Sequence, residues 1–229
     1  MVVGESSGDI LGADLIKALR KRHPNAHFEG VGGPLMQALG FQSHFDMERL
    51  SVMGFVEPLK RLPELLSMRR ALIRRYRKTA PAAFIGIDSP DFNLQIELSL
   101  RQSGIKTIHY VSPSVWAWRQ GRIKKIIRCV DLMLTLLPFE SDFYRQHQVP
   151  VRFVGHPLAD QYPLQPDTIG ARRALGLRVD GPTLTLMPGS RGSEVDMMAQ
   201  LFMQVVARVR RNVPNLQVLV PAANAARYR

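Results

Sequence analysis

Residues 83–93 read Ala-Phe-Ile-Gly-Ile-Asp-Ser-Pro-Asp-Phe-Asn. An apolar strand runs directly into two carboxylates, Asp88 and Asp91, at the start of a helix, which is where an open α/β sheet carries its chemistry. Pro90 suits the first helical position, which makes Ser89 the N-cap and sets Asp88 just before it. The positive field of a helix start favours an ionised carboxylate. Asp88 therefore has the form a general base needs, although the same field weakens it as a base unless burial raises its proton affinity. Capping is the other reading of Asp88. Asp91, within the first turn, reads as a complement to the helix dipole.

Five further polar clusters sit at strand ends. Gly4-Glu5-Ser6-Ser7-Gly8-Asp9 is a glycine-flanked turn. Either its N–H groups cradle an anion at a helix N-terminus, or Ser6 or Ser7 caps that helix. No Gly-Lys-Ser/Thr follows, so it is not a P-loop. Gly30-Val31-Gly32-Gly33-Pro34 is a second turn, with Pro34 fitting a helix start. His109 to Arg119 reads His-Tyr-Val-Ser-Pro-Ser-Val-Trp-Ala-Trp-Arg and holds both tryptophans of the chain. Their faces suit a sugar or base and Arg119 suits a phosphate, or the rings are core. Phe153-Val154-Gly155-His156-Pro157 offers His156 as a phosphate ligand or a turn histidine. Pro188-Gly189-Ser190-Arg191-Gly192-Ser193-Glu194 is a Gly/Ser loop before a long helix. It suits a diphosphate, with Arg191 as a bidentate donor, or else Ser190 or Ser193 caps the helix.

Elements that position these clusters alternate. Strands are expected near 26–31, 82–87, 106–111, 131–136, 151–154, 183–187 and 216–220. Helices are expected near 8–22, 34–40, 63–78, 91–103, 119–129, 139–147, 168–175 and 192–212. The order predicts an α/β fold with a mainly parallel sheet covered on both faces. Pro157, Pro163, Pro166, Gly170, Gly176, Gly181 and Pro182 mark a domain boundary within 157–182. Only Met1, Val2 and Val3 precede the first turn, about half a normal strand, and roughly one strand–helix–strand unit follows the boundary. A fragment is the expectation.

The 229 residues carry a net charge of +12, 31 basic against 19 acidic, and one cysteine, Cys129. A disulfide framework is excluded and no thiolate-rich metal cluster stands out. Apolar runs are too short to span a bilayer, and no signal-peptide pattern opens the chain, so the default address is the cytoplasm. The positive charge favours polyanions. Eight cations and one acid lie between Lys60 and Lys78, with Phe55, Leu59, Leu62, Leu65, Leu66, Leu72, Ile73 and Tyr76 at helical spacing among them. This is either a solvated face over a packed core or a basic amphipathic element for an anionic membrane surface. Five more cations lie between Arg119 and Arg128, but no nucleic-acid motif accompanies either stretch, so no nucleic-acid partner is expected.

Taken in order, the blocks Gly4–Leu11, Gly30–Met36, Val52–Glu57, Gly86–Asn93, His109–Arg119, Leu137–Glu140, Phe153–Asp160 and Pro188–Glu194 resemble the lipid-A-disaccharide synthases, bacterial glycosyltransferases of the GT-B type. Tyr110 to Arg119 is the most specific string. The resemblance implies a Rossmann-like acceptor-side domain over 1–160, then a linker and the incomplete start of the donor domain over 161–229. It implies an inverting transfer that joins UDP-2,3-diacylglucosamine to 2,3-diacylglucosamine 1-phosphate, giving a β-1,6-linked disaccharide phosphate and UDP. Asp88 matches the family's proposed base. Glu5, Ser7, Asp9, His109, Trp116, Arg119, His156, Ser190, Arg191 and Glu194 match substrate-binding motifs. No cofactor or metal is implied. Because both substrates are anionic lipids, the implied address becomes the cytoplasmic face of the inner membrane. Leu59, Leu62, Leu65, Leu66, Arg69 and Arg70 then become the docking candidates. An inactive shortened product that binds anionic lipid without chemistry is the competing expectation.

Overall fold

The computed structural model describes residues 1–50, 61–223 and 228, and these divide into two compact units, Met1–Gln161 and Tyr162–Arg229. The block Val52–Glu57 and the docking candidate Leu59 lie outside the described residues.

In chain order the first unit runs β1 (Val2–Val3), α1 (Ser6–Arg22), β2 (Glu29–Val31), α2 (Pro34–Ala38), β3 (Gln42–Phe45) and a 3-10 turn at Met47–Arg49. It continues with α3 (Leu62–Thr79), β4 (Phe84–Ile87), α4 (Pro90–Arg101), β5 (Thr107–Tyr110), a 3-10 turn at Gln120–Arg122 and α5 (Ile123–Cys129). Then come β6 (Leu132–Thr135), α6 (Pro138–Gln146), β7 (Val151–Phe153) and α7 (Leu158–Gln161). All seven strands pair in parallel, in the order β3-β2-β1-β4-β5-β6-β7. This is a doubly wound, Rossmann-like sheet. The order reverses between β1 and β4, which defines the switch point where such sheets bind ligands.

The second unit holds α8 (Thr168–Ala174), β8 (Thr183–Thr185), α9 (Gly192–Asn212) and β9 (Gln217–Leu219), with β8 and β9 parallel.

Local sequence accounts for most boundaries. Pro34, Pro90 and Pro138 each open a helix, where a missing N–H costs nothing. Val2, Val3, Ile87, Ile96 and Leu100 are sealed in the main core. A second cluster, with Leu94, Ile126, Met133 and Tyr144, lies under α4, α5 and α6. Gly86 in β4 is required by close approach, since a Cβ there would stand 2.2 Å from the Glu97 carboxylate and 2.9 Å from Asn93 Cβ.

The structure departs from the sequence expectations at four places. The strand β3 is unexpected, because Gln-Ser-His-Phe has no apolar alternation. The helix expected at 119–129 is broken, because Arg119 adopts a left-handed φ of 55° and Gln120–Arg122 forms a 3-10 turn before α5. Helix α1 begins at Ser6 with Glu5 in the N-cap position, so neither Ser6 nor Ser7 caps it. Helix α7 lies inside the stretch expected to be a boundary.

Asp9 holds a structural position. The resemblance puts it among cleft residues, yet it is 2 % exposed and its carboxylate accepts the N–H groups of Gly33 (3.0 Å), Leu35 (2.9 Å) and Met36 (3.1 Å). It caps α2 from a distant segment and ties the first two helix starts together. Replacing it with Ala strands two buried donors and one part-buried donor. We expect Asp9→Ala to lower unfolding stability by about 2–3 kcal/mol, read as a fall in the urea midpoint at unchanged slope.

Candidate functional site

The register brings the first two motifs together. Val2 pairs with Gly86 and Val3 with Ile87, so Gly4-Glu5 and Asp88-Ser89 leave adjacent strands side by side. A Cβ on Gly4 would fall 2.2 Å from Ser89 Oγ. Asp88 and Ser89 both take left-handed conformations, with φ of 52° and 45°. Such residues cost about 1–3 kcal/mol each and persist only where surroundings hold them. Here Asp88 N–H donates to Tyr110 O (2.8 Å), and Asn93 Nδ2 donates to Asp88 O (2.8 Å).

Burial pushes the Asp88 carboxyl above its ordinary pKa, and the hydrogen-bonded carboxylate of Glu5 pushes it the same way. The Ser89 N–H and the nearby His109 pull in the other direction without prevailing. Burial thus acts against the helix field that would weaken Asp88 as a base. Ser7 Oγ donates to Glu5 Oε1 at 3.0 Å. Asp88, Ser7, Val111, Leu136 and His156 line one cavity of about 180 Å³ over the strand ends. A larger cavity of about 770 Å³, bordered by Phe28, Tyr76 and Phe84, contains none of the candidate catalytic or substrate-binding residues. Asp91 is exposed and pairs with Arg122, as a surface dipole complement.

His109 does not face the cavity. It is fully buried on β5 with Nδ1 2.7 Å from Glu97 Oε1, and Glu97 is fully buried too. Burial raises the Glu97 pKa while His109 opposes the shift. Asn93 Oδ1, Glu97 Oε2 and His109 Nε2 are buried without a partner among the described residues. A polar layer therefore lies beneath the switch point.

The tryptophans divide. Trp116 is half-buried, donates to Glu140 Oε1 at 3.2 Å and meets Phe139 edge-on at 4.9 Å. Trp118 is 62 % exposed, and the Arg119 guanidinium lies 4.3 Å from its ring centre. Trp116 is therefore pinned to the start of α6, and Trp118 with Arg119 forms the accessible surface. His156 is exposed, and its Nδ1 accepts the Leu158 N–H at 3.2 Å, so it caps α7 while its ring lines the cavity.

In the second unit the Pro-Gly-Ser-Arg loop is closed by Glu194. Its carboxylate accepts the N–H groups of Ser190 (2.9 Å) and Arg191 (3.1 Å) and pairs with Arg191 Nη1 (2.9 Å). These donors hold Glu194 below the usual carboxylate range. Neither Ser190 nor Ser193 caps α9. Two of the loop N–H groups, those of Ser190 and Arg191, are engaged by Glu194, which also pairs with the Arg191 guanidinium. Among the described residues no group of three His, Cys, Asp or Glu side chains is placed to hold a metal ion.

Residues 1–229 match the lipid-A-disaccharide synthetase family. The chain belongs to that family. It is 56 % identical to the lipid-A-disaccharide synthase of Saccharophagus degradans over 230 residues, covering all of this chain and 59 % of that one. It is 60 % identical to the lipid-A-disaccharide synthase of Pseudomonas putida KT2440, covering 99 % of this chain and 60 % of that one. The synthase of Hahella chejuensis is 55 % identical over 227 residues. The chain spans about 60 % of the length of these curated relatives.

In this synthetase-family chain Asn93 and Glu140 fall within the quoted motifs but take no role from them, and Glu97 lies outside them. Each is polar and sits on a helix face, and only the fold turns it toward a motif residue. A helical offset is the available signal, since Asn93 and Glu97 are four apart and both face β4. Breaking the Glu97–His109 pair leaves a buried partner uncompensated. Glu97→Ala should therefore cost about 3–5 kcal/mol, and Glu97→Gln distinctly less, because an acceptor oxygen remains. Paired denaturant titrations check the order.

Proposed function

We propose that this chain supplies the acceptor side of an inverting glycosyltransferase that joins UDP-2,3-diacylglucosamine to 2,3-diacylglucosamine 1-phosphate, releasing UDP. The observation that carries this reading is Asp88, held in a strained conformation at the switch point, lining a cavity, with its proton affinity raised by burial. In the reaction Asp88 takes the proton of the acceptor 6-hydroxyl as that oxygen attacks the anomeric carbon. The bond to the diphosphate breaks, and its electron pair leaves with UDP. His156 and Ser7 border the acceptor sugar. Trp118 and Arg119 offer a stacking face and a cation for the acceptor phosphate. Arg191 is the cation proposed to hold the donor diphosphate. The three relatives bear the name of this activity.

Asp88→Asn keeps size and removes the base, so in a full-length synthase carrying this segment it should cut kcat by at least about 10²–10⁴. Near-normal turnover of UDP-sugar would remove Asp88 as base. The sign of the pH dependence follows from the raised pKa. Asp88 must be ionised to work, so kcat/KM should fall as pH drops through a value above the ordinary carboxylate range of about 4. An acid limb at or below that range contradicts the assignment.

The second part of the proposal concerns the membrane. No helix among the described residues is long and apolar enough to cross one. Helix α3 presents exposed Leu62 beside half-buried Leu66 and Arg69, with Arg70 and Arg74 exposed and without ion pairs among the described residues. Leu65 packs on the core instead. We assign the outer face of α3 to an anionic surface at the cytoplasmic side of the inner membrane. Arg70→Glu with Arg74→Glu should weaken co-sedimentation with phosphatidylglycerol vesicles about tenfold or more at low salt, and leave zwitterionic vesicles unaffected. Unchanged sedimentation would sink this assignment.

A further inference from the structure

Asp88 serves as a base only while its carboxyl points into the cavity over the strand ends. The direction of that side chain follows from where the N–H and C=O of the same residue are fixed. The N–H is fixed by β5, donating to Tyr110 O at 2.8 Å. The C=O is left over by the helix ladder. The Phe92 and Asn93 N–H groups both donate to Ser89 O, at 3.0 Å each, and Pro90 has no N–H to give. Its donor is a side chain, Asn93 Nδ2, at 2.8 Å.

That amide also reaches Val2 O at 3.2 Å and Ile87 O at 3.5 Å. Three carbonyl oxygens face one end of the amide, so that end is the NH2, and its two protons serve Asp88 and Val2 at the shorter distances. Asn93 is fully buried on α4. It is also held from the strand side, since a Cβ on Gly86 would stand 2.9 Å from Asn93 Cβ and 3.1 Å from Asn93 Cγ. An aspartate would match its size but present oxygen to carbonyl oxygen, and a leucine would present no donor. The amide is therefore a requirement of chemistry, not of volume.

The need for such a donor is set by the backbone. Asp88 and Ser89 are consecutive left-handed residues, φ 52° and 45°, and neither is glycine. Left alone, residues with a Cβ return to negative φ. With the Asp88 N–H fixed on β5, that return must swing both the carbonyl and the Cβ, and the carboxyl leaves its place.

We propose that Asn93 is the positioning residue of the site: its amide holds the Asp88 carbonyl, so that the left-handed turn persists and the carboxyl stays in the cavity with Ser7 and His156. The proposal rests on the reading of Asp88 as the base. Asn93 touches no reacting atom and exchanges no proton. It acts through the Asp88 backbone, and its bond to Val2 O ties that backbone to β1.

The test is a double-mutant cycle of Asn93→Ala and Asp88→Asn in a full-length synthase carrying this segment. Misplacing a reacting group by about 1 Å costs about 10² in rate, so Asn93→Ala should lower kcat about 10²-fold. KM should stay within about threefold, because the side chains that border the substrate are not moved. In the Asp88→Asn background the same change should cost less than about threefold, since no base remains to be misplaced. A merely structural asparagine would lower stability and leave the kcat of the folded enzyme alone. A folded Asn93→Ala enzyme with near-normal kcat therefore overturns the proposal while Asp88 stands as base. Full additivity of the two losses overturns it as well, because Asn93 would then act independently of Asp88. Near-normal turnover of Asp88→Asn alone removes the base reading, and the positioning role with it.

A second measurement needs no turnover. In the unaltered 229-residue chain, NMR should show a positive Asp88 φ and a slowly exchanging Asn93 side-chain NH2. A negative Asp88 φ, or an NH2 that exchanges as in an unfolded peptide, overturns the clamp, and this reading decides if Asn93→Ala does not fold.

Discussion

One side chain clamps the switch point. Asn93 is fully buried, and its Nδ2 donates to Val2 O on β1 (3.2 Å) and to Asp88 O at the end of β4 (2.8 Å). These are the two strands between which the sheet reverses its order. Holding both carbonyls from one amide keeps the strand ends together where Glu5 and Asp88 emerge. The clamp works only because α4 lies very close to β4, and that depends on Gly86, where any Cβ would collide with Glu97 and Asn93. A glycine in the strand, an asparagine one turn into the next helix and two left-handed residues between them form one device.

The same device decides an electrostatic competition. A carboxylate just outside a helix N-terminus gains from the dipole by about 0.3–1 kcal/mol, which favours ionisation. Asp88 takes little of that benefit as a base, because burial and the facing Glu5 both oppose its charge. Asp9 and Glu194 show the contrasting outcome. Each accepts two or more backbone N–H groups at a helix start. Three carboxylates near helix starts thus have different tasks, set by what else faces them.

Much of the scaffold is legible from sequence for a physical reason. Runs such as Phe-Ile-Gly-Ile followed by Pro announce strand, turn and helix locally, and a repeated alternation implies a parallel sheet. The place of Asp88 at a strand end is legible on the same grounds. The partners of the site residues are not, because they arise from contacts across the chain. His109 reads as a cleft residue until Glu97, 12 positions earlier, buries with it. Asp9 reads as a cleft residue until α2 docks its N-terminus against it. Trp116 and Trp118 are indistinguishable in sequence, and only Glu140 and Phe139 decide that the first is pinned and the second free. Glu5 is visible as a turn residue, but it neighbours Asp88 only once β1 and β4 are adjacent, over 80 residues apart in the chain.

The net charge of +12 is likewise not a single property. Arg75 forms a bidentate pair with Glu29 (2.9 and 2.8 Å), Arg49 and Arg61 share Glu64, Arg101 meets Asp131 and Arg145 meets Asp142. Some of these pairs join separate elements and others, such as Arg145–Asp142, lie within one helix, and all contribute little outward field, since exposed pairs are largely screened. Arg70 and Arg74 of α3, without ion pairs among the described residues, are exposed on the outer side of the helix. A charge excess spread evenly would attract any polyanion. One concentrated beside exposed Leu62, on the outer face of a helix whose inner face carries Met68, Leu72 and Tyr76 into the core, matches a surface that is both anionic and apolar. That combination distinguishes a lipid headgroup layer from a nucleic acid, which offers phosphate but no apolar region at the same depth.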